Sequence, residues 1–168
     1  MITFKGLCIE EVDCFWNLLN ALDIETNYMM YEPKERVQCT NIQELSADIR
    51  SNVINGNDFL QIASEDDKIV GYIRAERGKF RRNFHTAYIV VGILRDYAGK
   101  RIGTTFFKNL DKWASQQGVC RLELTVECHN HVARHLYEKS GFKIEGIREK
   151  SMLIDGNLVD EYYMAKIL

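Results

Sequence analysis

Apolar residues recur along this chain with two periods, near 3.6 and 2, and the switching between them lays out the elements. Residues 2–8 read as a short strand. Val12, Phe15, Trp16, Leu18, Leu19 and Leu22 then fall at helical spacing over residues 10–22. Residues 23–40 are polar and irregular, after which Ile42, Leu45, Ile49 and Val53 predict a second helix over 41–54. Phe59–Ala63 and Ile69–Ala75 have strand texture, and the polar Glu65-Asp66-Asp67-Lys68 between them predicts a hairpin. Thr86–Leu94 is almost wholly apolar, as a central strand covered on both faces would be. An amphipathic helix follows, with Ile102, Phe106, Leu110 and Trp113 on one stripe and Gly118 as its stop. In the strand 121–127, Leu122, Leu124 and Val126 face one way and Glu123, Thr125 and Glu127 the other. A helix over 131–140 and two strands near 142–154 and 158–167, joined at Asp155-Gly156, complete the chain. This order predicts a mixed α/β domain of about seven strands and four helices. Its sheet is antiparallel at first and has helical crossovers in its second half.

Composition narrows the function classes. The 168 residues, 46% hydrophobic and 27% charged, suit one soluble domain spanning 1–168. A net charge of −2 provides no general field for nucleic acid. Lys79, Arg81 and Arg82, interleaved with Phe80 and Phe84, read as an exposed hairpin or as an edge that meets the phosphates of a ligand. No apolar run approaches the ~20 residues that span a bilayer, and the N-terminus carries no signal-peptide pattern, so the expectation is a cytoplasmic protein without membrane contact. Five scattered cysteines (Cys8, Cys14, Cys39, Cys120, Cys128) with no Cys-x-x-Cys argue against disulfides and against a metal site. They are expected to be reduced and buried.

Two segments carry candidate chemistry. Arg95 to Thr105 leads from the central strand into the amphipathic helix, with Gly99 and Gly103 for close backbone approach and Lys100 and Arg101 for positive charge. Free N–H groups at such a helix start suit a phosphate or pyrophosphate, and a tight strand-to-helix turn would need small residues equally. The second segment runs from Asn130 to Phe142. Asn130 and Tyr137, two helical turns apart, share a side of the helix. They suit a ligand, or equally an N-cap and an aromatic contact before a Gly141 C-cap.

Together the two segments resemble the GCN5-related N-acetyltransferase (GNAT) superfamily. Asn130, Ala133, Leu136, Tyr137, Gly141 and Phe142 match its Asn-x-x-Ala-x-x-Leu-Tyr-x-x-x-Gly-Phe pattern without a gap, and Ala98–Gly103 occupies the places of its Gln/Arg-x-x-Gly-x-Gly/Ala loop. Met152 to Gly156 and Asp160 to Met164 also resemble bacterial members. Ala98 stands where the family has Gln or Arg, and Arg101 where it has its first glycine. If that position requires φ > 0, the arginine costs about 1–2 kcal/mol.

The resemblance implies an acyl-CoA N-acyltransferase fold with splayed central strands, acetyl-CoA as cosubstrate, no metal, and acetyl transfer to a primary amine of a small molecule or protein. A homodimer is compatible with it. It implies that main-chain groups of Ile93 and Leu94 pair with pantetheine, and that Gly99, Lys100, Arg101, Ile102, Gly103 and Thr104 cradle the pyrophosphate. Asn130 and Tyr137 would also meet CoA. Tyr137, a phenol that stays protonated at neutral pH, would be the acid for the departing thiolate. Glu127 is the first candidate base, ahead of Glu76 and His85. Glu25, Tyr28, Tyr31 and Glu32, with Asp23, would recognise a cationic acceptor through charge and ring faces. The departures at Ala98 and Arg101 leave a second class in play, a catalytically weak acyl-CoA-binding or sensing module.

Overall fold

Left-handed turn residues close the two tight hairpins of the protein. Asp66 and Asp67 have φ of 48° and 64°, and Asp155 and Gly156 have 50° and 78°. Paired positive φ values give a turn whose twist matches that of the strands it joins. A computed structural model describes Met1–Leu168, with seven strands in one mixed sheet of order β1-β2-β3-β4-β5-β7-β6. The chain packs as two compact units, Met1–Glu76 with Val90–Phe106 and Arg77–Ile89 with Phe107–Leu168.

The first unit holds β1 (Thr3–Gly6), α1 (Val12–Glu25), α2 (Arg36–Cys39), α3 (Ile42–Asp48) and β2 (Phe59–Glu65), most of β3 (Lys68–Arg77), and the last residues of β4 (Thr86–Ile93). β1, β2 and β3 pair antiparallel in sequence order. α1 buries Val12, Phe15, Leu18, Leu19 and Leu22, each worth about 1.5–3 kcal/mol of transfer free energy if fully withdrawn from water. A Cβ built on Gly92 would lie 2.7 Å from Leu22 Cδ1, so the glycine admits the helix onto the strand. The short α2 interrupts a stretch the sequence leaves irregular. Its Arg36 donates twice to the buried Asp23 carboxylate of α1, at 2.6 and 3.0 Å. The helix expected over 41–54 is α-helical only to Asp48 and widens into a π turn over Ile49–Ile54. Asp48 also accepts from Arg74 of β3 and Asn52, while Arg74 holds Asp58 at 2.9 Å beyond the turn.

The second unit holds the start of β4, the body of α4 (Ile102–Gln117), β5 (Arg121–Glu127), α5 (His131–Lys139), β6 (Lys143–Ile154) and β7 (Asn157–Ile167). Thr86–Tyr88 of β4 pair parallel with Arg121–Glu123 of β5, and the ladder stops there. β5 runs antiparallel to β7 along its whole length, and β7 to β6. Burial of Leu122, Leu124 and Val126 follows the predicted alternation of β5, but Glu127, on its polar face, is only 5% exposed.

α5 is stopped by a Schellman motif. Phe142 N–H donates to Tyr137 O and Gly141 N–H to Glu138 O, both at 3.0 Å, with Gly141 at φ 99°. The apolar contact that accompanies this motif is between the rings of Phe142 and Tyr137, 6.2 Å apart. Phe107 of α4 meets both rings edge-on, at 5.5 and 5.7 Å. The thiols depart from expectation: Cys8, Cys14, Cys39 and Cys120 are exposed and Cys128 is partly so. Cys14, for example, falls off the apolar stripe of α1. No helix is long and apolar enough to cross a membrane.

Gly141→Ala should destabilise the protein by about 1–2 kcal/mol, because the left-handed position penalises a Cβ. That Cβ would also lie 3.1 Å from Lys166 Cε. Urea unfolding of the variant measures the cost, and an unchanged midpoint would contradict the role given to the cap.

Candidate active site

The loop before α4 is built from unusual backbone. After β4, Leu94 donates its N–H to Val70 O and accepts from Tyr97 N–H, both at 2.9 Å. A 3₁₀ turn over Arg95–Tyr97 leads to Ala98 in extended conformation. Gly99 and Arg101 then both adopt positive φ, 77° and 61°, on either side of Lys100. Arg101 O receives the first helical bonds, from Thr105 N–H and its hydroxyl, at 3.1 Å each. Arginine has no side-chain oxygen with which to cap the N–H groups of Ile102, Gly103 and Thr104, and the first turn holds no acidic residue. This helix start therefore presents donors and the positive dipole end without an internal anion. A Cβ on Gly99 would meet nothing within 4 Å, so open space adjoins the loop. Lys100 is partly committed, with its Nζ 4.4 Å from the Tyr97 ring centroid and 3.9 Å from Glu65. Ile102 and Gly103 are buried, and Arg101 and Thr104 exposed.

Also in the first unit, the acidic and aromatic residues assigned to an acceptor have diverse surroundings. Glu25, the last residue of α1, accepts from Arg95 N–H at 2.9 Å, and its carbonyl accepts from the Arg95 guanidinium at 2.6 Å. The Tyr31 ring faces Arg36, whose guanidinium carbon lies 4.7 Å from its centroid. Asp23 holds that same arginine, so the cation this carboxylate meets is internal. Tyr28 and Glu32 are exposed.

In the second unit, Asn130 is the N-cap of α5. Its Oδ1 accepts from Ala133 N–H at 3.2 Å, while its own N–H donates to Glu127 O at 2.9 Å. Tyr137 is 8% exposed, with its ring fixed by Phe107 and Phe142. Glu127 caps the end of β5, directly opposite Glu161 of β7. Burial pushes the Glu127 carboxyl above the ordinary carboxylate range, a main-chain contact opposes the shift, and the Glu161 charge adds to it. Glu161 is 6% exposed and is held by Arg148 at 3.3 Å and by the Ser151 hydroxyl at 2.7 Å. Sequence reasoning did not single out Glu161. The Asp155-Gly156 turn sets the register of β6 on β7 only as far as Met152. An irregularity between Met152 and Arg148 shifts it before Glu161 is reached, and no local pattern discloses that shift or the register of β7 on β5. No group of three or more His, Cys, Asp or Glu is arranged to hold a metal ion.

Comparison with known proteins bears on these parts. The profile of the Acetyltransferase (GNAT) family matches residues 21–142. L-amino acid N-acetyltransferase AaaT of Escherichia coli is 30% identical over 110 residues. That match covers 63% of this chain and 66% of AaaT, so it spans just under two thirds of the relative's length. Among solved structures, an acetyltransferase of the GNAT family from Streptococcus pneumoniae superposes with a TM-score of 0.93 at 23% identity, covering 100% of this chain and 99% of its own. The protein yncA of Salmonella typhimurium, solved with its cofactor acetyl-CoA, superposes with a TM-score of 0.85 at 15% identity, over 99% of this chain and 94% of its own. With a profile match over well over half its length, and with this sheet order and its two motif segments, the chain belongs to the GNAT family of acetyltransferases.

Proposed function

We propose that this chain is an acetyl-CoA-dependent N-acetyltransferase acting on the primary amine of a small molecule. The observation that carries the reading is the entry to α4. Two left-handed residues, an uncapped first turn without acidic side chains, and open space beside Gly99 make a donor set suited to a diphosphate. The relative AaaT, named for L-amino acids, supports a small-molecule acceptor, and yncA, solved with acetyl-CoA, supports the donor.

In this reading the N–H groups of Gly99 to Thr104 hold the pyrophosphate, with Lys100 and Arg101 adding charge. Leu94 already spends its N–H, so its carbonyl and the main-chain groups of Ile93 remain for the contact with pantetheine. Bound acetyl-CoA supplies the reactive thioester. The chain's own residues manage the protons. Glu127 takes one from the acceptor ammonium, freeing the nitrogen lone pair to form the new amide bond. The phenol of Tyr137 gives one to the sulfur that leaves with the C–S electron pair. The Phe107 and Phe142 rings fix the direction of that phenol. Asn130 contributes by capping α5 and so holding the helix that carries Tyr137, and Tyr28 and Glu32 border the acceptor.

Three measurements test this. Acetyl-CoA at millimolar concentration should raise the melting temperature, and Tyr137→Phe should lower kcat by about 10²-fold with little change in KM for acetyl-CoA. A thermal shift without turnover of any amine would favour a CoA-binding module instead. Arg101→Gly should change apo stability by less than about 1 kcal/mol, because relief of the left-handed strain opposes the added chain entropy of glycine. It should also weaken acetyl-CoA binding several-fold by calorimetry; unchanged affinity would remove the arginine from the phosphate site.

The Glu127 reading has a pH signature. As a base the carboxylate must be ionised, so kcat/KM should rise with pH through a pKa above the ordinary carboxylate value. The folded-state pKa is raised above that of the unfolded chain, so the native state holds its proton more tightly and stability falls as pH rises between the two. Glu127→Gln should therefore melt higher than the parent at pH 7, with the gain fading below about pH 4, and should lose the acid limb of the rate profile.

A further inference from the structure

The polar positions of β5 continue a face that crosses four strands of the second unit. Tyr88 on β4 shares a 2.8 Å hydrogen bond with Thr125 on β5. Thr125 pairs with Tyr163 and Glu127 with Glu161 on β7, and Glu161 pairs in turn with Arg148 on β6. Glu127, Glu161 and Arg148 thus form one row across the strands, with neighbouring strands about 4.8 Å apart. The charges in this row do not cancel. Glu127 and Glu161 are 5% and 6% exposed, and the one guanidinium in the row lies against Glu161. The groups acting on Glu127 are its own main chain and Glu161, with no cation among them. A carboxylate withdrawn from water beside a second carboxylate is costly unless a cation joins it. Arg148 has the complementary surplus. Its side chain is 49% exposed, and a single contact at 3.3 Å uses little of its five-donor fork.

We propose that this row is the acceptor site and that it reads a zwitterionic α-amino acid, with Glu127 and Glu161 receiving the ammonium and Arg148 the carboxylate. The inference rests on the acetyltransferase reading and names its substrate class. Ser151 supports it by donating to Glu161, holding that carboxylate toward the row. The same arginine discriminates against a polyamine or other acceptor without a carboxylate, whose positive charge it would repel.

The test compares each L-amino acid with its own α-amide and its decarboxylated amine, using acetyl-CoA and thiol release. The parent protein should favour the free acid at least tenfold in kcat/KM. Arg148→Gln should collapse that preference through KM for the acid, and Arg148→Lys should restore part of it. Glu161→Gln should raise KM for acid and amide alike. An acetyl-CoA-induced melting shift in each variant shows that it is folded and loaded. Equal use of acid and amide by the parent, or an equal loss for both on Arg148→Gln, would overturn the proposal. Turnover of polyamines or peptide N-termini but no free amino acid would overturn it and leave the acetyltransferase reading standing. No turnover of any amine would overturn both.

Discussion

The apolar stripe of α4 contributes buried side chains to each unit. Ile102, Phe106, Phe107, Leu110 and Ala114 are all 2% exposed or less. The consecutive phenylalanines serve different units. Phe106 meets Phe4 edge-on at 5.5 Å in the first, and Phe107 fixes Tyr137 and Phe142 in the second. In the first unit, burial of Ile102 and Phe106 fixes where the helix begins. The loop from Leu94 must reach that point in a few residues, and it does so with left-handed backbone at Gly99 and Arg101. Strain at Arg101 is tolerated beside the fully packed Ile102 and Phe106 of the same unit.

Tyr137 depends on the same logic from the other end. The glycine and phenylalanine that close α5 are structural first: one supplies the left-handed C-cap and the other the ring that packs on Tyr137. The segment from Asn130 to Phe142 is physically a capped helix whose stop packs one phenol. Asn130 likewise spends its carboxamide oxygen on the first turn of α5. Two departures from local rules lie elsewhere, in Arg101 at positive φ where a helix begins and in two opposed, buried carboxylates.

Much of the architecture was legible from periodicity alone. The strand at 121–127, the helix behind Ile102, the 131–140 helix and both hairpin turns follow from spacing and turn chemistry. The parts that were not legible depend on partners distant in sequence. The helix over 41–54 loses its α-helical path at Ile49, next to an Asp48 that Arg74 of β3 holds. Asp23 and Glu25 carry the same charge and lie two residues apart, yet one is buried on Arg36 and the other receives the Arg95 main chain. The cysteines looked apolar by type, but their places on helix and strand leave four of the five exposed.

By itself, then, the sequence determined the order of the longer helices and strands, the two tight hairpin turns and the family, since each is encoded within a few neighbouring residues. Only the tertiary structure decided which carboxylates are buried and which are answered by a cation. Glu127 and Glu161 are opposite each other because β7 lies antiparallel on β5 in one register, and Arg148 joins the row because the register of β6 on β7 shifts between Met152 and Arg148. Strand register is a property of packing faces across the sheet, and a shift of one residue would turn every one of these side chains away.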